Sequence, residues 1–450
     1  MFSSLKSIGK NDKQRSLGDG TKSFIKNFYA KDLGLISSKS FIQNSNTIIL
    51  NQIKLSKTRS IKSQPHSITW LNLDNVESRF LLAAKSDGNF VCVDTFQNCS
   101  TKENLKILFD SSSSRNGHVH SISCVQWYPI DSGMFFTSGM DQKFKVWDTN
   151  TLSVVDEYNL KQKIYSHHTS MSMANTNKTL IALALDNGQV RFIDLNCGSF
   201  THTLKAHNHG HCVSVQWSPI DPNILTSAGS DGRILLWDIR SSKSCLNCLD
   251  LEKTINYRIS KAVKSKNTIS AVSSKAVSHT GPVIGLSYTN DGNHIISLGK
   301  DNALRLWNSN SGLNTLVNYG KIALNSVVAE TCLQLSCTEM CSSNYVLVPS
   351  GPNLLGFDIM NGDLKYNLKG HFDSINCSVY NPALKEIYTG SKDKNVLIWR
   401  SENEEIIKYK PNTSTHSGSS LSTLLANMGR SEQNQTTDSN NRDSWSDDEN

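Results

Sequence analysis

The stretch SDGRILLWDIR, Ser230 to Arg240, decides how the rest of the chain is read. A turn aspartate, Asp231, stands six residues before Trp237, and the residues between them have strand character. The same spacing recurs at Asp141/Trp147, Asp301/Trp307 and Asp393/Trp399. Asp87/Val93 repeats it with an aliphatic residue in the tryptophan slot, and Asn187/Ile193 changes both slots. A histidine stands 21 to 24 residues before each of the five aspartates: His66, His118, His207, His279 and His371. Four residues before four of the aspartates lies a hydroxyl: Thr137, Ser227, Ser297 and Thr389. The four tryptophans thus share one local setting, each expected to close a third strand and lead into a turn. The residues that follow differ: WDTN at Trp147, WDIR at Trp237, WNSN at Trp307 and WRSE at Trp399.

These residue types have one physical job at these spacings. Aspartate accepts from histidine, histidine accepts from the hydroxyl, and the indole N–H supplies the last donor. The resulting tetrads are His118/Thr137/Asp141/Trp147, His207/Ser227/Asp231/Trp237, His279/Ser297/Asp301/Trp307 and His371/Thr389/Asp393/Trp399. The many histidines therefore need no catalytic explanation. Even HNHGH (His207, His209, His211) begins with a structural histidine, so no metal site or cofactor is expected. Cys245-x-x-Cys248 has no second pair at ligand spacing.

This is the WD-repeat pattern, one four-stranded blade per unit. Seven units can be counted. One is weak, near His167 to Asp194, and one is nearly erased, CSSNYVLVPSGPNLLGFDIMNG, Cys341 to Gly362. The expected fold is all-β, a seven-bladed WD40 β-propeller over residues 46–400 with blades of about 40–45 residues. NTIILNQIKL, Asn46 to Leu55, reads as the strand that closes the ring against the last blade. The polar connection 241–278 reads as an insertion.

The flanks differ from the body. Residues 1–62 hold 12 Lys/Arg against 3 Asp/Glu, and residues 401–450 hold 4 against 9, which leaves the middle close to neutral. A body of that balance argues against a broad phosphate-binding face and direct sequence-specific DNA binding. No apolar run approaches the roughly 18 residues of a membrane span, and the N-terminus lacks the apolar core of a secretory signal. The eleven cysteines sit mostly in strand-like runs and read as small buried hydrophobes. Within the N-terminal extension, 1–45, the segment KSFIKNFYAKD (22–32) places Phe24, Ile25 and Phe28 at helical spacing. The acidic tail 401–450 is expected to be disordered and ends in DSWSDDEN, with Trp445 as a candidate docking anchor and Ser446 as a candidate acid-directed phosphosite. Catalytic motifs of hydrolases, P-loop proteins and zinc proteases are lacking, so no enzyme is expected.

VQWYPIDSGMFFTSGMDQKFKVWDTNTL (Val125 to Leu152) and KDNALRLWNSNSGLNTLVNYGK (Lys300 to Lys321) resemble the Cockayne syndrome group A family, beyond what a generic WD repeat requires. NTLVNYG, Asn314 to Gly320, answers to no blade rule, and the terminal DSWSDDE is similar to that family's acidic end. The resemblance covers roughly residues 46–450. It implies a nuclear, non-enzymatic substrate receptor. Such a receptor would bind the large adaptor subunit of the damaged-DNA-binding complex, which bridges to cullin-4 and RING ubiquitin-ligase subunits. It would serve transcription-coupled nucleotide excision repair with the Cockayne syndrome group B ATPase and RNA polymerase II. The adaptor mark it implies is Trp-Asp-x-Arg, which here places Asp238 and Arg240, together with the N-terminal helix carrying Phe24, Ile25 and Phe28. The alternative is a generic WD40 scaffold in another nuclear complex, such as one in RNA processing.

Overall fold

The alternating segments fold as antiparallel sheets, and seven of these sheets close into a ring. The computed structural model describes residues 19–56, 59–96, 103–113, 116–170, 179–207, 210–241, 245–254, 276–324 and 332–401. Residues 1–18, most of the 241–278 connection, His209, and the tail with Trp445 and Ser446 lie outside the described residues. Blades 1 to 6 span residues 68–110, 122–159, 164–205, 212–248, 283–308 and 336–369. Blade 7 takes three strands from 375–401 and its outermost strand from the front of the chain. That strand, Ile53–Leu55, pairs antiparallel with Val396–Ser401 and places Ile53 opposite Ser401. Every blade therefore meets a neighbour on both sides, which removes an open sheet edge from the ring.

Only part of Asn46 to Leu55 is a strand. Asn46 to Leu50 finishes helix α2, Ser38–Leu50. Ser37 caps this helix by accepting from Ser40 N–H at 3.1 Å, and Leu50 is fully buried. A short apolar run such as Ile48-Ile49-Leu50 fits helix and strand equally by periodicity, and here the upstream cap decided. Helix α1, Asp19–Asp32, precedes it and begins earlier than the sequence reading placed it. Among the described residues blade 5 has three strands, and residues 309–321 run where a fourth would lie, touching the sheet through isolated bridges at Trp307/Asn314 and Ala303/Lys321.

The four tetrads form. In blade 4, Trp237 Nε1 donates to Ser227 Oγ at 2.9 Å, His207 Nε2 lies 3.1 Å from the same hydroxyl, and His207 Nδ1 lies 2.9 Å from Asp231. An ionised aspartate only accepts, so Nδ1 carries the ring proton and Nε2 accepts from the hydroxyl. Blades 2, 5 and 7 repeat this geometry, with histidine–aspartate distances of 2.8 to 2.9 Å. Burial pushes the carboxyls up, yet hydrogen bonds from histidine and backbone hold Asp141, Asp231 and Asp393 below the ordinary aspartate range. The residue two before the aspartate is glycine in blades 2, 4 and 5, because a Cβ on Gly139, Gly229 or Gly299 would collide with the paired histidine and aspartate. In blade 1, His66 is half exposed and its ring nitrogen stays 3.6 Å from Asp87.

Trp399 corrects the expectation of one shared setting for the four tryptophans. Its tetrad role holds, since Trp399 Nε1 donates to Thr389 Oγ1 at 2.9 Å. Its strand, however, does not end in a turn to a following strand of the same repeat. Val396–Ser401 runs on past the tryptophan and sets Trp399 opposite Leu55 of the N-terminal strand. The ring is closed by the front of the chain, so blade 7 has no such turn and its tryptophan packs with Leu50 and Ile53, which come from the N-terminal segment. Arg400, standing where the other repeats have Asp or Asn, lies in the strand 3.7 Å from the buried Glu386.

Candidate functional site

The tetrads fix the two ends of the ring. Turn aspartates and inter-blade histidines meet at one end, the top. The turns joining first to second and third to fourth strands meet at the other, the bottom, as the Ile239 N–H to Asn223 carbonyl bond at 3.1 Å shows in blade 4. Asp238 ends the third strand of blade 4, Ile234–Asp238, and Arg240 follows in the bottom turn.

An acid at the Asp238 position has a local use throughout the ring. Its carboxylate accepts the backbone N–H two residues on: Asp94 from Phe96, Asp148 from Asn150, Asp194 from Asn196, Asp238 from Arg240 and Asp358 from Met360, all at 2.9 to 3.0 Å. Blade 4 alone of these puts an arginine on the donating residue. Its guanidinium turns back and grips Asp238 twice, Nε to Oδ1 at 3.0 Å and Nη2 to Oδ2 at 2.9 Å. The Arg240 side chain is 61 % exposed and that of Asp238 only 14 %. The bonds from Arg240 hold the Asp238 carboxyl below its usual value. The guanidinium fork is thus already set by its own blade, and its outer flank faces solvent. Ile220, exposed in the neighbouring bottom turn, packs over Gly292 of blade 5.

The N-terminal helices reach the same end of the ring. Asn46 Nδ2 donates to the Met340 carbonyl at 2.8 Å, and the Thr47 and Ser342 hydroxyls lie 2.7 Å apart, which seats α2 on a bottom turn of blade 6. Helix α1 packs on α2 through aromatic contacts. Phe24 and Phe28 flank Phe41 at centroid distances of 5.8 and 6.4 Å, and Lys31 Nζ sits 5.0 Å over the same ring. Phe41 covers part of the apolar face, and Phe24 and Phe28 remain 41 % and 48 % exposed. The Ile25 side chain lies outside the described residues. Tyr29, Leu33, Leu35 and Ile42 extend the exposed apolar surface of the hairpin. The structure thus brings Asp238, Arg240 and the helical hairpin to one face, on blades 4 and 6.

His211, from the histidine-rich stretch, stacks on Tyr165 at 4.8 Å. Burial pushes Cys248 up to about 11 and raises Cys245 as well, as expected of packed thiols. Sequence reasoning missed a further set. The next-to-last residue of the first strand in blades 1 to 4 accepts the backbone N–H of the last residue of the next blade's first strand. The pairs are Asn72 with Trp127 at 2.8 Å, Gln126 with Thr169 at 2.9 Å, His168 with Trp217 at 3.1 Å and Gln216 with Tyr288 at 3.1 Å. These side chains line a central cavity of about 130 Å³ and lock each blade's height to the next. The repeated VQW, at Val125 and again at Val215, was the available signal: a polar residue inside an apolar strand.

NTLVNYG also finds its place. Tyr319 packs edge-on against Phe357 of blade 6 at 5.8 Å, and its hydroxyl donates to the Ile359 carbonyl at 2.5 Å. The segment replaces the missing strand of blade 5 and fastens that blade to blade 6.

Comparison with known proteins follows this division of the ring. The family described as WD domain, G-beta repeat matches residues 110–148, 198–238, 272–308 and 362–400, the four blades with tetrads. WD repeat-containing protein ATCSA-1 of Arabidopsis thaliana is 31 % identical over 431 residues, covering 82 % of this chain and 93 % of that protein. The chain belongs to the WD-repeat protein family. Other matches have lower identity. Radiation-sensitive protein 28 of Saccharomyces cerevisiae is 25 % identical over 207 residues, 44 % of this chain and 40 % of that protein. Autophagy-related protein 16 of Arabidopsis thaliana is 24 % identical over 304 residues, 63 % and 56 %. The WD-repeat propeller is typically a non-enzymatic scaffold for protein interactions.

Proposed function

We propose that this chain is a non-enzymatic, nuclear substrate receptor of a ubiquitin ligase in transcription-coupled nucleotide excision repair. Its bottom face binds the large adaptor subunit of the damaged-DNA-binding complex. The adaptor connects it to cullin-4 and the RING subunit, while the rest of the ring presents targets at stalled RNA polymerase II together with the Cockayne syndrome group B ATPase. The observation that carries this reading is the shared placement of the Arg240–Asp238 pair and the α1–α2 hairpin on one face. Similarity to ATCSA-1 along almost its whole length, and to a yeast protein named for radiation sensitivity, supports the repair setting.

Physically, Asp238 holds the Arg240 fork in one orientation before a partner arrives, so less rotamer freedom is lost on docking. The exposed flank of the guanidinium can then stack on apolar surface or meet a carbonyl. The half-open Phe24/Phe28 face and the exposed Leu33, Leu35 and Ile42 supply apolar area for a groove. Adaptor pull-down from nuclear extract tests the proposal. Arg240→Ala should reduce adaptor and cullin-4 recovery by about tenfold or more, with Arg240→Lys restoring little. Phe24→Asp/Phe28→Asp should release the adaptor with the propeller still folded. Wild-type recovery by the Arg240→Ala protein, or ribosomal and splicing partners in place of the adaptor, would refute the proposal.

A further inference from the structure

The central channel holds a set of hydrogen-bond donors that the receptor reading does not use. Asn72, Gln126 and His168 stand on the first strands of blades 1, 2 and 3, and each accepts one backbone N–H of the next blade, at 2.8, 2.9 and 3.1 Å. A backbone N–H can only donate, so the amide oxygens of Asn72 and Gln126 and Nδ1 of His168 must face it. That contact fixes what is left over. Asn72 and Gln126 keep their NH2 groups. Burial pushes the His168 ring down to about 4, so near pH 7 it is neutral and carries its one proton on Nε2. These three donor groups have no partner among the described residues, although Gln126 is only 8 % exposed.

All three side chains line the cavity of about 130 Å³. The acceptors along the same wall are, by contrast, largely taken. Gln334 accepts from the Leu71 N–H at 3.2 Å and donates to the Leu71 carbonyl at 2.7 Å. Gln216 accepts from the Tyr288 N–H and donates to the Leu286 carbonyl at 2.9 Å. The Cys124 thiol donates to the His167 carbonyl at 3.6 Å. No Asp, Glu, Lys or Arg stands among the described residues that line the cavity. A cation would have to compete for oxygens already hydrogen-bonded. A water molecule could use the donors but meets the same shortage of acceptors for its own two hydrogens. An anion only accepts, and a buried N–H bonds an ionised acceptor more strongly than a neutral one.

We propose that the channel binds one small monovalent anion of the chloride class, held by the Asn72 and Gln126 NH2 groups and by His168 Nε2–H. At about 30 Å³ per water-sized group, the cavity takes such an ion with a few waters and is too small for gluconate. The ion joins the first strands of three consecutive blades, which makes the stability of the ring depend on the anion present. The site is independent of the bottom-face reading.

Thermal melting of the full-length protein at neutral pH and fixed ionic strength tests it. Replacing gluconate by about 0.15 M chloride should raise the melting temperature by about 2 °C, the shift for a site at roughly ten times its Kd in a domain of this size. Bromide and nitrate should act like chloride. Asn72→Asp and Gln126→Glu each keep the oxygen that accepts the backbone N–H and exchange the NH2 donor for a second oxygen. Each should lose the chloride increment, read against that variant's own gluconate baseline whatever its absolute stability. Anomalous scattering from a bromide-soaked crystal should place a peak within hydrogen-bond reach of the Asn72 and Gln126 amide nitrogens. Equal melting in chloride and gluconate overturns the proposal. So does an equal increment in wild type and both variants, which means an adventitious ion only, and so does a channel holding water with bromide only elsewhere.

Discussion

Blades 2 and 6 solve the same packing problem in opposite ways. In blade 2, Thr137 on the second strand stands beside Trp147 on the third, and both join His118 and Asp141 in a buried polar chain. In blade 6 the register puts Val348 in the hydroxyl slot and Phe357 in the tryptophan slot, and the rest of the chain is lost with them. Blades 1 and 3 follow blade 6, with Ala83 and Val93 in one and Leu183 and Ile193 in the other. Hydroxyl and indole occur together or are replaced together. Leaving one partner behind would bury an unsatisfied donor, which costs about 1–3 kcal/mol, whereas exchanging both for apolar groups is nearly neutral. The tetrad is thus one way of filling a blade, used where all its members are present.

The largest expected effect lies between a tetrad blade and an apolar one. Arg59 joins Glu386 of blade 7 at 2.5 Å and also donates to the Thr95 carbonyl of blade 1, with both charged side chains buried. Arg59→Ala should destabilise the protein by about 3 kcal/mol, the low end for a broken buried pair because Arg400 lies 3.7 Å from the same carboxylate. Chemical denaturation measures this directly. Within blade 4, Asp231→Ala or Ser227→Val should each cost about 2 kcal/mol. The paired change Ser227→Val/Trp237→Phe, which converts blade 4 to the blade 6 solution, should recover much of the Ser227→Val loss. If the double variant is no better than the single, the all-or-none account of the tetrad fails.

Acid sharpens the same comparison. Burial lowers His167 to about 3 and His168 to about 4, with no offsetting carboxylate partner among the described residues. His279 and His371 are lowered by burial too, but Asp301 and Asp393 partly offset it. A depressed histidine stays neutral in the fold while the unfolded chain takes up a proton. The associated stability is complete above pH 6.5 and is lost as pH falls through the folded values. Melting temperature should therefore hold steady above pH 6.5 and decline toward pH 4. His168→Gln should flatten that decline more than a change in a tetrad histidine. The smallest effect belongs to Arg240. Being exposed and, among the described residues, bonded to Asp238 of its own turn, it should leave the melting temperature within about 1 °C of wild type as Arg240→Ala, even while adaptor recovery collapses.

Much of the fold was legible because the tetrad is a local signal repeated at near-constant spacing. The candidate site was legible only as residue types. Asp238 and Arg240 stood out in the chain, but their double bond to each other did not, since an exposed side chain's direction is not written in its neighbours. Phe24 and Phe28 were readable as an apolar face, while Phe41, which half covers it, belongs to a helix that periodicity alone did not separate from a strand. Trp399 was readable as a tetrad member, but its neighbour across the sheet, Leu55, lies at the far end of the chain.

By itself the sequence determined the seven-unit ring, the four tetrads and the closing partnership of the first strand with the last. Each follows from short spacings that recur, and recurrence leaves few ways to bury the apolar faces. Only the tertiary structure decided where α2 ends and the closing strand begins. It also decided that NTLVNYG stands in for a blade strand, that Asn72, Gln126, His168 and Gln216 tie blade to blade, and that α2 and Arg240 share a face. Those outcomes depend on groups up to about three hundred residues apart, as between Asn46 and Met340, meeting at a turn or a channel wall, and no local period encodes such a meeting.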